Sequence, residues 1–240
     1  KLTIIRIFIW KLFSKHIYKI TAPTQKTLEM LKKSKIFDQK KIILLRDPAI
    51  DKNEILKNKK IKIAKKFKNK TFILSIGRLT NQKNFEFLIR MFAKYKKIIK
   101  ADCLIIIGEG EEKIKLQKII NHLNCEKSIF LLGFQKNVYN YINRCQTLIS
   151  VAEYEDPGFS LLEAAFLKKK IITSLVDNGP KDMKKNGNLC YFFDFNNESS
   201  FLRAVRNSRT EDIKKIKNAQ QYANKFSILA HNLSLQKILI

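Results

Sequence analysis

Alternating strand and helix signals predict an α/β chain: a parallel sheet with helices on both faces. Three observations carry this. From Thr71 onward, short continuous apolar runs alternate with segments whose apolar residues recur every three or four positions. Each run is bounded by glycine or polar residues, as strands buried on both faces require. Finally, 45% of the 240 residues are hydrophobic, enough apolar surface to bury a substantial core.

Residues 1–20 mix apolar and basic groups at helical spacings. The run LTIIRIFIWKLF is interrupted by Arg6 and Lys11, well short of the roughly 20 apolar residues that a membrane-spanning helix requires. No small-residue cleavage site follows, so it does not read as a signal peptide. A helix packed on a sheet is expected, with a basic amphipathic helix on a membrane surface as the alternative. Thr24 is placed to cap a helix over 25–33. A short strand over 41–45 stops at Arg46-Asp47-Pro48, and the Lys-rich stretch 51–70 reads as a solvated helix or linker that contains the main boundary.

The regular pattern follows. TFILSIG (71–77) is a buried strand, and Phe85, Leu88, Ile89 and Phe92 mark one face of the helix after it. CLIIIG (103–108) is the second strand, with a helix over 111–122. IFLLG (129–133) is the third, with a short helix near 137–143. TLISVA (147–152) is the fourth and leads through a turn into a helix from Ser160. IITS (171–174) and CYFF (190–193) are the fifth and sixth, with helices after about 198 and about 211 and a last one running to 240. Ligands bind such sheets beyond the carboxyl ends of the strands, where every candidate loop here lies.

The stretch VAEYEDPGFSLLEAAF (151–166) holds Glu155 and Glu163 with seven residues between them. Pro157 cannot continue a helix and Gly158 can take positive φ, so the chain turns before the helix begins. The free N–H groups of that helix's first turn, helped by the macrodipole, form a cradle for a phosphate or another anion. One carboxylate before the cradle and one after it suit a phosphate with hydroxyls on either side. The loop Gly77-Arg78-Leu79-Thr80-Asn81-Gln82-Lys83-Asn84 adds a tight turn at Gly77 and two cations, Arg78 as a fork of donors and Lys83 as a point charge, which is chemistry for a diphosphate. Gly108-Glu109-Gly110 begins like a dinucleotide fingerprint, but Lys113 stands where the third glycine belongs. It reads either as a close-approach turn under a base or ribose or as a plain tight turn.

Lys and Arg number 48 against 21 acidic residues, a net charge of +27. Such a balance fits nucleic acid or an anionic membrane surface, and equally a genome rich in Lys, Asn and Ile codons. The charges are spread along the chain without an aromatic-interleaved patch, which argues against nucleic acid. Cys103, Cys125, Cys145 and Cys190 are widely spaced and no pair has metal-ligand spacing, so reduced thiols of a cytoplasmic protein are expected. His16, His122 and His231 are scattered, leaving no zinc site.

With these loops placed, residues 71–240 resemble the carboxyl-terminal half of a retaining glycosyltransferase of family 4, whose members have two facing Rossmann-like domains. GRLTNQKN (77–84), GEG (108–110), LLGF (131–134) and above all EDPGFSLLEA (155–164) carry the resemblance. NGP (178–180) resembles members that build lipid-linked or surface polysaccharides. Residues 1–50 resemble only the last helices and strand of the family's amino-terminal domain. The resemblance therefore implies a remnant of the acceptor domain plus linker over 1–60 and a nucleotide-sugar-binding domain over 61–240.

It also implies roles. Arg78 and Lys83 would bind the donor diphosphate and stabilise the leaving group, Glu155 would meet the donor sugar, and Glu163 would hold the ribose hydroxyls. Gly158, Phe159, Ser160 and Leu161 would form the turn whose amides face sugar and phosphates. Breaking a sugar–phosphate bond builds negative charge on the departing diphosphate, which preorganised Arg, Lys and helix N–H groups stabilise. No metal is then required, and no Asp-x-Asp pair is present to hold one.

The leading expectation is a transferase that moves a hexose-type residue from a nucleoside-diphosphate-sugar to a lipid-linked or surface-glycan acceptor with retention. Its basic surface would dock it on an anionic inner membrane. A non-catalytic nucleotide-binding fragment is the second expectation, and a nucleic-acid-binding protein, suggested by charge alone, the third.

Overall fold

The computed structural model describes residues 2–210 and 212–239, with side chains from Ile4 onward. Glu211 and Ile240, where helix ends were expected, lie outside the described residues. The chain opens with α1 (Leu2–Phe13), then a parallel pair of short strands, β1 (Ile20–Ala22) and β2 (Ile42–Leu44), joined through α2 (Gln25–Ser34). Thr24 caps α2 as expected, its hydroxyl accepting from the N–H of Thr27. Next come α3 (Lys52–Asn58), capped by Asp51, and the main series. That series runs β3 (Phe72–Ile76), α4 (Phe85–Ile99), β4 (Cys103–Ile107), α5 (Lys113–His122), β5 (Ile129–Leu131), α6 (Tyr139–Arg144), β6 (Thr147–Ser150) and α7 (Phe159–Phe166). It ends with β7 (Lys170–Ser174), α8 (Gly179–Lys185), β8 (Tyr191–Phe193), α9 (Glu198–Asn207), α10 (Ile213–Asn224) and α11 (Ile228–Leu239).

The large sheet is wholly parallel, in the order β5-β4-β3-β6-β7-β8. The chain therefore starts in the middle, builds outward through β4 and β5, and returns to the other side of β3 with β6. Leu74 of β3 pairs with Ile105 on one side and Leu148 on the other. Successive side chains of a strand point to opposite faces, so each strand feeds two cores. Phe72 and Leu74 pack with α3, α6, α7 and α10, while Ile73 packs with α4, α5 and α9. Phe85, Leu88, Ile89 and Phe92 are all buried on α4, as their spacing predicts.

Three expectations change. The helix over the first residues does not pack on a sheet: Ile4, Phe8, Trp10 and Phe13 are each about half exposed or more, and the Trp10 ring meets that of Phe37, 6.2 Å away. The Lys-rich stretch 51–70 is not simply solvated, because Ile55 and Phe67 are fully buried beneath its charged surface. The elements β1 and α8 went unread, since Ile20-Thr21-Ala22 is too short to show alternation and GPKDMKK offers Met183 alone as a long apolar side chain.

Glycines set how closely the loops after β3 and β4 approach. Gly108, at φ 147°, stands where a Cβ would lie 1.9 Å from the Gly77 carbonyl oxygen, and a Cβ on Gly110 would lie 2.4 Å from that of Leu79. The loops are tied by Leu79 N–H donating to the Glu109 carbonyl at 2.8 Å and Glu112 N–H to that of Leu79 at 2.9 Å. The close approach these glycines permit is thus to protein backbone. Gly108→Ala is expected to cost on the order of 1–3 kcal/mol, a fall of several degrees in the thermal midpoint. A melting curve that superimposes on the wild type would show that the two loops do not touch.

Candidate active site

Beta strand order places the carboxyl ends of β3 and β6 side by side, where the direction of winding reverses, and both candidate loops leave the sheet there. After β3 the chain makes a short 3-10 turn over Asn81–Lys83, ended by Asn84 in the left-handed region at φ 54°. That turn is fastened to the loop after β6. Gln82 donates from Nε2 to the Tyr154 carbonyl at 3.0 Å, and Glu153 N–H donates to the Gln82 carbonyl at 2.9 Å.

Lys83 closes the junction, its Nζ lying 2.8 Å from Glu155 Oε1. The same oxygen accepts the hydroxyl of Ser150, at the end of β6, at 3.1 Å. Glu155 is 5% exposed, so its charge is held by this pair and not by water. Gly77 has a different task from the tight turn expected of it: its φ is ordinary, but a Cβ would lie 3.1 Å from Lys83 Cδ and Cε. Its missing side chain makes room for the lysine stem.

Gly158 adopts φ 89° and is the N-cap of α7, with no side chain capping the helix. Its carbonyl accepts from the amides of Leu161 and Leu162 at 3.0 and 3.1 Å. The amides of Phe159 and Ser160 have no acceptor among the described residues, which leaves the positive end of the helix open. Leu161 departs from expectation: its amide is engaged and its side chain is fully buried, so it anchors α7 to the core instead of facing a ligand. Phe159 is half exposed at the rim.

A cleft of about 630 Å³ gathers these groups. Of the nine residues singled out from the sequence, eight line it: Gly77, Arg78, Lys83, Glu155, Gly158, Phe159, Ser160 and Glu163. The volume is that of small-molecule sites in general. Arg78 is exposed there, and its guanidinium has no hydrogen bond or ion pair to a described residue. Glu163 is the opposite case, a carboxylate without a cationic partner among the described residues. Burial, helped by the charge of Glu54, pushes its pKa up to about 7. Sequence reasoning missed Tyr154, Asp156 and Val138, which also line the cleft. Only the strand-to-helix loop around Tyr154 and Asp156 carried any signal. An open helix terminus and two cations, lining one cleft with the carboxyl of Glu163, make a receptor for an anion that also bears hydroxyls.

The family of glycosyl transferases group 1 matches this chain over residues 57–226. An uncharacterised glycosyltransferase of Methanocaldococcus jannaschii is 31% identical over 180 residues, covering 74% of this chain and 44% of that protein. The N-acetylgalactosamine-N,N'-diacetylbacillosaminyl-diphospho-undecaprenol 4-alpha-N-acetylgalactosaminyltransferase of Campylobacter jejuni is 31% identical over 169 residues, covering 70% of this chain and 44% of that protein. The chain thus spans less than half the length of these two relatives. Among solved structures, Anabaena Alr3699/HepE in complex with UDP-glucose shares the fold, with a TM-score of 0.74 at 17% identity over 97% of this chain and 66% of that one. Because the family match takes in both switch-point loops and all six strands of the large sheet, the chain belongs to the group 1 glycosyl transferases.

Proposed function

We propose that the cleft binds a nucleoside-diphosphate-sugar and that the protein transfers its hexose to a lipid-linked or surface-glycan acceptor with retained anomeric configuration. The observation that carries this is the convergence of Arg78, Lys83 and the open first turn of α7 on one cleft that Glu155 and Glu163 also line. The diphosphate takes the two cations and the amides of Phe159 and Ser160. Lys83 spends one of its three donors on Glu155, leaving two for phosphate oxygens. Charge that develops on the leaving diphosphate meets donors already fixed in place, which is the largest catalytic term such a site offers. Glu163 accepts from the ribose hydroxyls, and Glu155 stands where the sugar joins the diphosphate. The positive charge comes from side chains and amides, so the reading needs no metal and no cofactor beyond the donor. The Campylobacter relative, named for transfer to a diphospho-undecaprenol acceptor, supports the acceptor class.

The same reading places the protein at the cytoplasmic face of an anionic membrane. No described helix is long and apolar enough to cross a bilayer. The helices α1 and α11 contain no acidic residue, expose Ile4, Phe8, Trp10, Leu229 and Leu233, and carry Arg6, Lys11 and Lys237 beside them. Apolar groups rimmed by cations suit an anionic lipid surface.

Three outcomes follow from this reading. Arg78→Ala and Lys83→Ala are each expected to weaken nucleoside diphosphate binding on the order of tenfold or more by calorimetry, the worth of a charge-assisted hydrogen bond. Binding that survives both changes would place the phosphate elsewhere, and binding without sugar release would mark a donor-binding module.

Glu163 makes stability and binding depend on pH in opposite ways. Between its ordinary value of 4.5 and about 7, the folded chain keeps a proton that the unfolded chain has released, so the stability term falls as pH rises. Glu163→Gln removes that cost and should raise stability at pH 8 by on the order of 1–3 kcal/mol, with the gain fading to nothing below pH 4.5. Ribose hydroxyls favour the ionised carboxylate, so wild-type nucleotide affinity should rise as pH approaches 7 and level off above it. Thermal melts of the two proteins across this range, with and without nucleotide, check both signs, and a flat difference would remove Glu163 from the ribose site.

Vesicles of phosphatidylglycerol should sediment with the protein at low salt and release it at roughly 0.5 M salt, where screening is complete within a few ångströms. Phosphatidylcholine vesicles that bind equally well would exclude the charge contribution.

A further inference from the structure

Asn178 is held in a backbone conformation that glycine tolerates and asparagine seldom adopts, φ 68° and ψ −118°. It is 2% exposed, and its Oδ1 is buried without a donor among the described residues. Both features work against stability. A residue needed only to turn the chain would serve better as glycine, so the asparagine side chain must do something else here.

It holds the loop after β6. Asn178 donates from Nδ2 to the Tyr154 hydroxyl at 2.7 Å, and that hydroxyl donates to Asp156 Oδ2 at 3.3 Å. Glu155 lies between these two anchored neighbours. Its backbone is also fixed, since Glu155 and Asn178 form a parallel bridge and Gly179 N–H donates to the Glu155 carbonyl at 3.0 Å. Gly179 is required for this contact, because a Cβ there would lie 1.8 Å from the Pro157 carbonyl oxygen. The hold continues outward to the first turn of α2, where the Thr27 hydroxyl donates to Asp156 Oδ2 at 2.9 Å. The Gln25 amide donates to Asp182 at 3.4 Å beside it, and Lys26 lies 3.9 Å from Asp177.

We propose that Asn178 is a positioning residue for Glu155, acting through Tyr154 and the backbone bridge, and that the Thr27–Asp156 bond extends this hold to α2. The inference rests on the reading in which Glu155 meets the donor sugar. Asn178 does not line the cleft. It acts by setting where the Glu155 carboxylate stands opposite Lys83, and so governs the sugar half of the ligand and not the nucleotide half.

Asn178→Gly tests this without threatening the fold, because glycine relieves the backbone conformation. Calorimetry on the full chain would compare UDP with UDP-glucose and UDP-N-acetylglucosamine, and GDP with GDP-mannose. The wild type is expected to bind one sugar nucleotide more tightly than its diphosphate. Asn178→Gly should melt at or above the wild-type temperature, keep the diphosphate affinity within about twofold, and lose the sugar-dependent gain, on the order of tenfold. Thr27→Val should lose a smaller part of the same gain. A variant that retains the whole gain overturns the proposal, and so does one that loses diphosphate and sugar nucleotide affinity equally. Failure of the wild type to bind any of these five compounds is a different result, visible before any variant is made, and it removes the donor site itself together with this role.

Discussion

Adjacency of β3 and β6 is the constraint on which the rest depends. Each strand carries a segment of limited chemistry, one with two cations and one with a glycine turn between Glu155 and Glu163. Side by side at the point where the sheet reverses its winding, the two loops become a cleft with a cationic wall and an amide-lined floor. The Lys83–Glu155 pair is the physical expression of that adjacency, joining residues 72 positions apart at 2.8 Å. A buried pair of this kind contributes little net stability, because desolvation offsets most of the attraction. Its value lies in specification: it puts one ammonium group at one place, and Gly77 clears the path for the stem that carries it.

The site is costly to the fold in several small ways. Glu163 lacks a compensating cation among the described residues, Asn178 occupies an unfavourable conformation with an oxygen unpartnered among them, and the first turn of α7 leaves the amides of Phe159 and Ser160 open. Such departures from local optimum concentrate where function is located and are supported by surroundings that over-determine them. Here the support is visible. The two hydrophobic cores cover opposite faces of the large sheet, and Leu161 buries its side chain in one of them.

The segment before α3 meets the turn between α10 and α11, and both reach the core on one face of the large sheet. Ile50 exchanges backbone hydrogen bonds with Phe226 and Ile228, and Arg46 offers its carbonyl oxygen to His231 of α11 at 2.7 Å. The first turn of α2, through Gln25, Lys26 and Thr27, reaches the loops of the cleft from this side. The small β1–β2 unit is therefore linked to the site through polar bonds made by α2.

Most of the main series was legible in the residues themselves. Continuous apolar runs between glycines mark strands buried on both faces, a spacing of three and four at Phe85, Leu88, Ile89 and Phe92 marks a helix, and Thr24 marks a helix start, all because these are local rules of backbone geometry and burial. The content of the two loops was readable for the same reason. Short or weakly apolar elements were not: Ile20–Ala22 and Gly179–Lys185 owe their form to tertiary contacts that no window of sequence contains. Nor does a window reveal strand order, which decides that the first loop faces the fourth, that the Gly108 turn packs on backbone, that Leu161 points inward, and that Asn178 stands behind Glu155. Composition and local pattern thus determined which chemical groups the protein owns, whereas long-range pairing of parallel strands, which no local signal encodes, decided which of those groups share one cleft.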